Sequence, residues 1–229
     1  MSNTDSFIEE VSEEVRKDQL YGYFKKYGWI AGLLIVAIVG GTAFSEWSKA
    51  SKSADAQKLG DDIAAAMASD GNAQQADALA AILPESGNAA ALIEIQRAAV
   101  LADNDNKAGA LEILDTLALD GAAPEIYREL AMLKSLMLRG AETEYGKRIL
   151  ALDVLAKPGA PFRPVALEQK ALAMMDEGKT EDAIKQFQAL LLEPKVSNAM
   201  SERARQTIIA LGGTLPDIAE MLSNSVQAQ

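Results

Sequence analysis

The stretch from Tyr27 to Ser45 carries no charged residue, and no other run in the chain of comparable length does the same. With a helical rise of about 1.5 Å per residue, roughly 19 residues reach about 28 Å, close to the roughly 30 Å hydrocarbon core of a bilayer. Trp29, Ile30, Leu33, Leu34, Ile35, Val36, Ile38, Val39 and Phe44 supply the apolar bulk. Each Leu, Ile, Val or Phe favours insertion by about 0.3 to 0.6 kcal/mol. Tyr23, Tyr27 and Trp29 at one end of the run, and Trp47 at the other, stand where aromatic belts meet the headgroups. The run predicts one transmembrane helix over 27–47, with a head over 1–26, juxtamembrane helices over 48–87 and a repeat-like body over 88–229.

The head is a poor secretory leader. About 26 residues precede the apolar run, and Asp5, Glu9, Glu10, Glu13, Glu14 and Asp18 lie among them, whereas a cleaved signal has a short basic start. A permanent anchor is the expectation, ahead of a cleaved signal and of a buried core helix. Arg16, Lys17, Lys25 and Lys26 flank the run on one side and Lys49, Lys52 and Lys58 on the other, a small excess that favours a cytoplasmic head and a body outside. In the head, Phe7, Val11 and Val15 recur every four residues beside Ile8. That pattern reads either as an amphipathic helix for a partner groove or as a disordered segment, since an acidic helix is unsuited to lipid headgroups.

Composition removes several chemistries. The chain has no Cys and no His, so disulfides, thiol nucleophiles, imidazole bases and ordinary zinc sites have no residues to build them. Net charge is −11, and from residue 53 onward 16 Lys and Arg face 26 Asp and Glu, so nucleic acid is not an expected partner. Neither a cofactor nor an enzymatic activity is expected. Asp103-Asn104-Asp105-Asn106 resembles the start of a calcium loop, but Lys107 sits where the next ligand belongs, and an inter-helix turn is the simpler reading.

An aromatic content of 5 %, with Ala and Leu dominant, points to an all-α body. Breakers at Pro84–Gly87, 103–106, Gly121–Pro124, Lys157–Pro161, Gly178, Pro194 and Gly212-Gly213 divide it into helix-sized segments. Ser86 or Asn88, Asn106, Thr180 and Asn198 stand where N-caps belong. Apolar residues recur at three and four, as in Leu167, Ala171 and Met174, then Ala183, Phe187 and Leu190. Neither helix buries its stripe alone, so antiparallel hairpins stacked on their neighbours are expected.

One of these hairpins has a recognisable form. Ala171, Met174, Gly178, Lys179, Ala183, Phe187, Leu190 and Pro194 look like a tetratricopeptide repeat. Ala98, Leu101, Ala110, Leu114 and Leu117, then Pro124, repeat the offsets about 73 residues earlier, near twice the repeat length of about 34. The unit between them, Glu125 to Lys157, has the length for two helices but lacks the marks. The fold class is therefore an all-α chain, a single transmembrane helix followed by an α-solenoid of tetratricopeptide-like hairpins.

The layout of charged head, Phe24-Lys25-Lys26-Tyr27-Gly28, one span, Trp47 and weak repeat hairpins resembles the YfgM-like family. The resemblance implies an inner-membrane protein with its C-terminal domain in the periplasm, ancillary to the SecYEG translocon and connected to periplasmic chaperones such as PpiD. It carries no catalytic residues. The rival expectation is a structural accessory subunit of another inner-membrane assembly, such as a respiratory complex.

Two sets of residues are candidates for contact. Gly28, Gly32 and Gly40, with Ala37, Gly41 and Ser45, form small-residue faces on the span, either for packing against a partner helix or another copy of this span, or as the ordinary glycine content of such helices. In the body, first helices of repeat pairs line the concave side, which nominates Glu94, Ile95, Tyr127, Arg128, Arg163 and Glu168 for partner contact or for a plain solvated face.

Overall fold

The computed structural model describes residues 3–84 and 86–216, with side chains described for all of these except 3–28, 31, 32, 35 and 72. Every regular element among them is helical: α1 (Asn3–Met67), α2 (Asn72–Ala80), α3 (Gly87–Asp103), α4 (Lys107–Leu119), α5 (Glu125–Arg139), a 3-10 turn at Gly140–Glu142, α6 (Tyr145–Leu155), α7 (Arg163–Asp176), α8 (Thr180–Leu191) and α9 (Asn198–Ala210). The chain divides into two units, Met1–Gly60 and Asp61–Gln229.

In the first unit α1 passes without a break through the expected head and the uncharged run. The first proline of the chain is Pro84, so nothing upstream removes a helical N–H. The Phe7, Ile8, Val11 and Val15 side chains lie outside the described residues. Along the run Trp29, Val36, Val39 and Phe44 are exposed, as is Trp47 beyond it. Thr42 returns its hydroxyl proton to the Val39 carbonyl at 2.9 Å, which satisfies that donor inside the helix. Among the described residues no helix is long and apolar enough to cross a membrane. Tyr27, Gly28, Ala31, Gly32 and Ile35 belong to the expected span but have no described side chains, so the anchor rests on the sequence run.

The second unit stacks its helices in chain order. The end of α1 turns into α2 through Gly71 at φ +91°, and Gln75 ties the turn by donating to the carbonyls of Met67 at 2.9 Å and Ser69 at 3.2 Å. Two cores follow. Ala91, Ile95 and Ala98 of α3 meet Ala110, Leu114 and Leu117 of α4 and Ala131 of α5 in the first. Leu133 and Leu136, from the same α5, join α6 to α9 around Phe187, Leu190 and Leu152 in the second. Helix α5 is thus a wall common to both. Its pairing with α6 is sparse beside the tight α3–α4 and α7–α8 hairpins. The weak middle unit opens there because Arg139 is followed by Gly140 at φ +55°, ψ −130°, a backbone state that glycine alone adopts without strain, and then by the 3-10 turn.

The two tight hairpins turn in the same way. Asp105 at φ +56° and Gly178 at φ +74° end α3 and α7 in the left-handed region. The next residue, Asn106 at φ −90°, ψ 59° or Lys179 at φ −84°, ψ 62°, then starts the following helix. Ser86 and Asn106 cap as expected, accepting from Ala89 N at 3.2 Å and Gly109 N at 3.0 Å. Two other caps shift by one residue. Thr180 is already helical and Lys179 holds the cap position with no side-chain bond, because Gly178 closes α7 so tightly that the residue after it must begin α8. Ser197, extended and accepting from Met200 N at 3.3 Å, caps α9 in place of Asn198.

Candidate interaction surface

The repeat residues read from the sequence lie inside the body. Ala98, Ala110 and Leu114 are buried in the first core, and Ala171, Ala183 and Phe187 are buried around the second hairpin, whose turn is made by Gly178. On α1, Gly40 and Gly41 face open space, with nothing within 4 Å of where a Cβ would stand. The side-chain positions of Gly28 and Gly32 are outside the described residues.

The nominated concave residues divide. Ile95 is 7 % exposed and belongs to the first core, so it is no contact residue. The reason is that α3 lies between α2 and α4 and buries two faces, Ile93 and Val100 as well as Ile95 and Ala98. Glu168 is also buried, held by Arg203 of α9 through bonds of 2.9 and 3.2 Å. Arg163 grips Glu193 with two donors at 3.0 and 2.6 Å and the Ala156 carbonyl with a third. Both charges therefore serve helix packing. Tyr127 is half-buried against the first core, Glu94 stands 3.6 Å from Arg97, and Arg128 is half-buried on the α5 surface.

Long-range ion pairs are what the sequence hid. Arg163 and Glu193 hold each other in their charged forms: the hydrogen bonds between them lower the Glu193 carboxyl and raise the Arg163 guanidinium, partial burial opposes both shifts, and their mutual attraction adds to them. Ser135 donates to Asp115 at 2.6 Å, a contact that elsewhere activates a nucleophile. Here Arg139 also binds both residues, and Ser135 is 5 % exposed, so the trio fastens α4 to α5 without access for a substrate. Lys170 on α7 pairs with Asp153 on α6 at 2.5 Å.

The loosened middle unit leaves a cavity of about 450 Å³ between the 3-10 turn, the start of α6 and the end of α7. Thr143, Glu144, Tyr145, Arg148, Asp176 and Glu177 line it. Arg148 is buried and its charge is met by Asp176 at 2.6 Å. Glu144 pairs with exposed Lys147 at 3.1 Å, and Lys179 sets its ammonium 3.7 Å from the Tyr145 ring centre.

No family model, curated protein or solved structure matches the chain. The surface must therefore be read from its own chemistry. Among the described residues no cluster of three or more acidic groups is arranged to hold a metal ion. Among its described residues the body offers a ladder of helices fastened by charge pairs, and an open cavity lined in part by carboxylates.

Proposed function

We propose that the chain is a non-catalytic, single-pass membrane protein, anchored by residues 27–47, whose helical body binds protein partners on the periplasmic side of the inner membrane. The observation that carries this reading is the uncharged run itself. Its large side chains Trp29, Val36, Val39 and Phe44 are exposed along α1, and a soluble monomer rarely leaves so many large apolar residues of one segment to water. A bilayer covers these side chains at no cost in unpaired polar groups, since helix hydrogen bonds are internal and Thr42 bonds to Val39.

The partner follows from the resemblance to the YfgM-like family: the body recruits or coordinates proteins near the SecYEG translocon, together with periplasmic chaperones. Stacked hairpins suit that work because they present an extended surface on a rigid frame. Isolation of the full chain in mild detergent tests the assignment. Co-purification with translocon subunits is the expected result. Recovery with a respiratory or other membrane assembly instead transfers the role to a structural subunit of that assembly, and release of the chain by alkaline carbonate removes the anchor.

A further inference from the structure

We infer that one end of the helix array, the end carrying Leu83, Leu119, Ile126 and Leu192, rests against lipid headgroups. The inference rests on the reading of residues 27–47 as a membrane anchor and assigns the body a second contact with the same bilayer.

Helices that follow one another through short connections run antiparallel, so alternate connections gather at opposite ends of the array. Contacts across the array show the grouping. At one end Lys107 reaches Glu142 at 2.6 Å, and Lys179 lies over the Tyr145 ring. At the other, a Cβ on Gly87 would stand 3.6 Å from the Ala122 carbonyl oxygen and 3.9 Å from Pro124, and Arg163 joins Glu193 to the Ala156 carbonyl.

The two ends differ in chemistry. Connections 103–109, 140–147 and 176–182 hold eight acidic residues against three lysines, and no proline. Connections 81–89, 119–127, 156–165 and 192–200 hold four acids against three bases, and six of the chain's seven prolines. Leu83 and Leu119, at 89 % and 86 %, are more exposed than any other large apolar side chain among the described residues, and Ile126 and Leu192 are exposed at the same end. The three acidic connections expose no large apolar residue among the described ones.

A lipid surface is the occupant that fits. Apolar tips on separate turns each enter the headgroup boundary on their own, without the continuous complementary surface that a protein partner needs. The prolines carry no N–H, which lowers the number of backbone donors that the interface must leave unpaired. Anionic headgroups repel the acidic end and leave the nearly neutral end free to approach. Only residues 48–60 separate the expected span from the second unit, about 20 Å of helix, so the tether keeps the bilayer at high effective concentration.

The test uses the full chain reconstituted into vesicles of phosphatidylethanolamine and phosphatidylglycerol that carry headgroup nitroxides. The chain has no native Cys, so an environment-sensitive dye is placed on Ala122→Cys at the apolar end or on Asn104→Cys at the acidic end, both exposed positions. The expected result is quenching severalfold stronger at Ala122→Cys than at Asn104→Cys. Leu83→Asp and Leu119→Asp together are expected to abolish that difference with the melting temperature unchanged, because both side chains are exposed. Leu150→Asp, at an exposed leucine away from both ends, is expected to preserve it. Equal quenching at the two ends, none at either, or a difference that survives the two aspartates overturns the inference. A blue-shifted dye at Ala122→Cys that escapes the nitroxides places a second copy of the chain on that end and overturns it too. Alkaline carbonate separates this inference from the anchor: release of the chain with the quenching difference intact removes the anchor and keeps the lipid contact, and retention without quenching does the reverse.

Discussion

Asn106 and Lys179 occupy the same place in two turns about 73 residues apart, each donating its backbone N–H to the carbonyl five residues earlier, Leu101 at 2.9 Å and Met174 at 2.8 Å. Each residue closes one helix with its backbone and starts the next. Only Asn106 adds a side-chain cap. Asn106→Ala should therefore destabilise the body by about 1 kcal/mol. Gly178→Ala, which forces a Cβ into φ +74°, should cost about 1 to 2 kcal/mol. Thermal melts of the full chain measure both.

Phe187 is among the largest fully buried side chains, at 2 % exposure, and it anchors the second core. Phe187→Ala should cost about 3 to 5 kcal/mol, the transfer term plus an unfilled cavity. Leu150, at 69 % exposure on α6, is the control, and its replacement by Ala should stay within about 0.5 kcal/mol. Denaturant midpoints compared at constant slope decide between the two.

The Arg163–Glu193 pair predicts an acid-sensitive term. Glu193 titrates lower in the folded chain than its ordinary value of 4.5, so the unfolded chain binds its proton first as pH falls. The stabilising contribution is complete above pH 4.5 and is lost as pH falls through the lowered folded value. Arg163 is raised above the ordinary arginine value, so its share is complete at neutral and acid pH and lost only under strongly alkaline conditions. Glu193→Gln should lower stability at neutral pH and flatten the loss below pH 4.5, as read from melting temperature against pH. An identical acid slope in wild type and variant would contradict the pairing.

Much of the body was legible because its signals are local. Gly178, Pro194 and the 103–106 turn mark helix ends within a few residues of where they act, and the Ala171 to Leu190 stripe needs only helical spacing. The misassigned residues depended on distant partners. Nothing near Arg163 or Glu168 announces Glu193 or Arg203, which lie 30 and 35 residues away. Ile95 misled for a related reason. A helix packed on both sides buries two faces, and one stripe cannot tell which of them is concave. The cavity arises where Gly140 and a 3-10 turn replace a tight hairpin, a feature visible only as the absence of repeat marks.

The open faces at Gly40 and Gly41 make a separate prediction about the span. Gly40→Leu should leave the melting of the body unchanged, because no neighbour lies within 4 Å. If this face packs on a partner helix, the substitution should reduce co-purification severalfold, as should Gly32→Leu. Unchanged recovery of the partner in both variants would leave the glycines without a packing role.

The anchor and its direction are tested most directly by thiol accessibility, since a chain with no native Cys gives each introduced thiol an unambiguous signal. Ser12→Cys reports on the head and Lys157→Cys on an exposed site in the body. In cells whose outer layer has been opened but whose inner membrane is intact, an impermeant maleimide should label Lys157→Cys at once and Ser12→Cys only after detergent. The opposite pattern, or immediate labelling of both, would contradict a cytoplasmic head joined through one span to a periplasmic body.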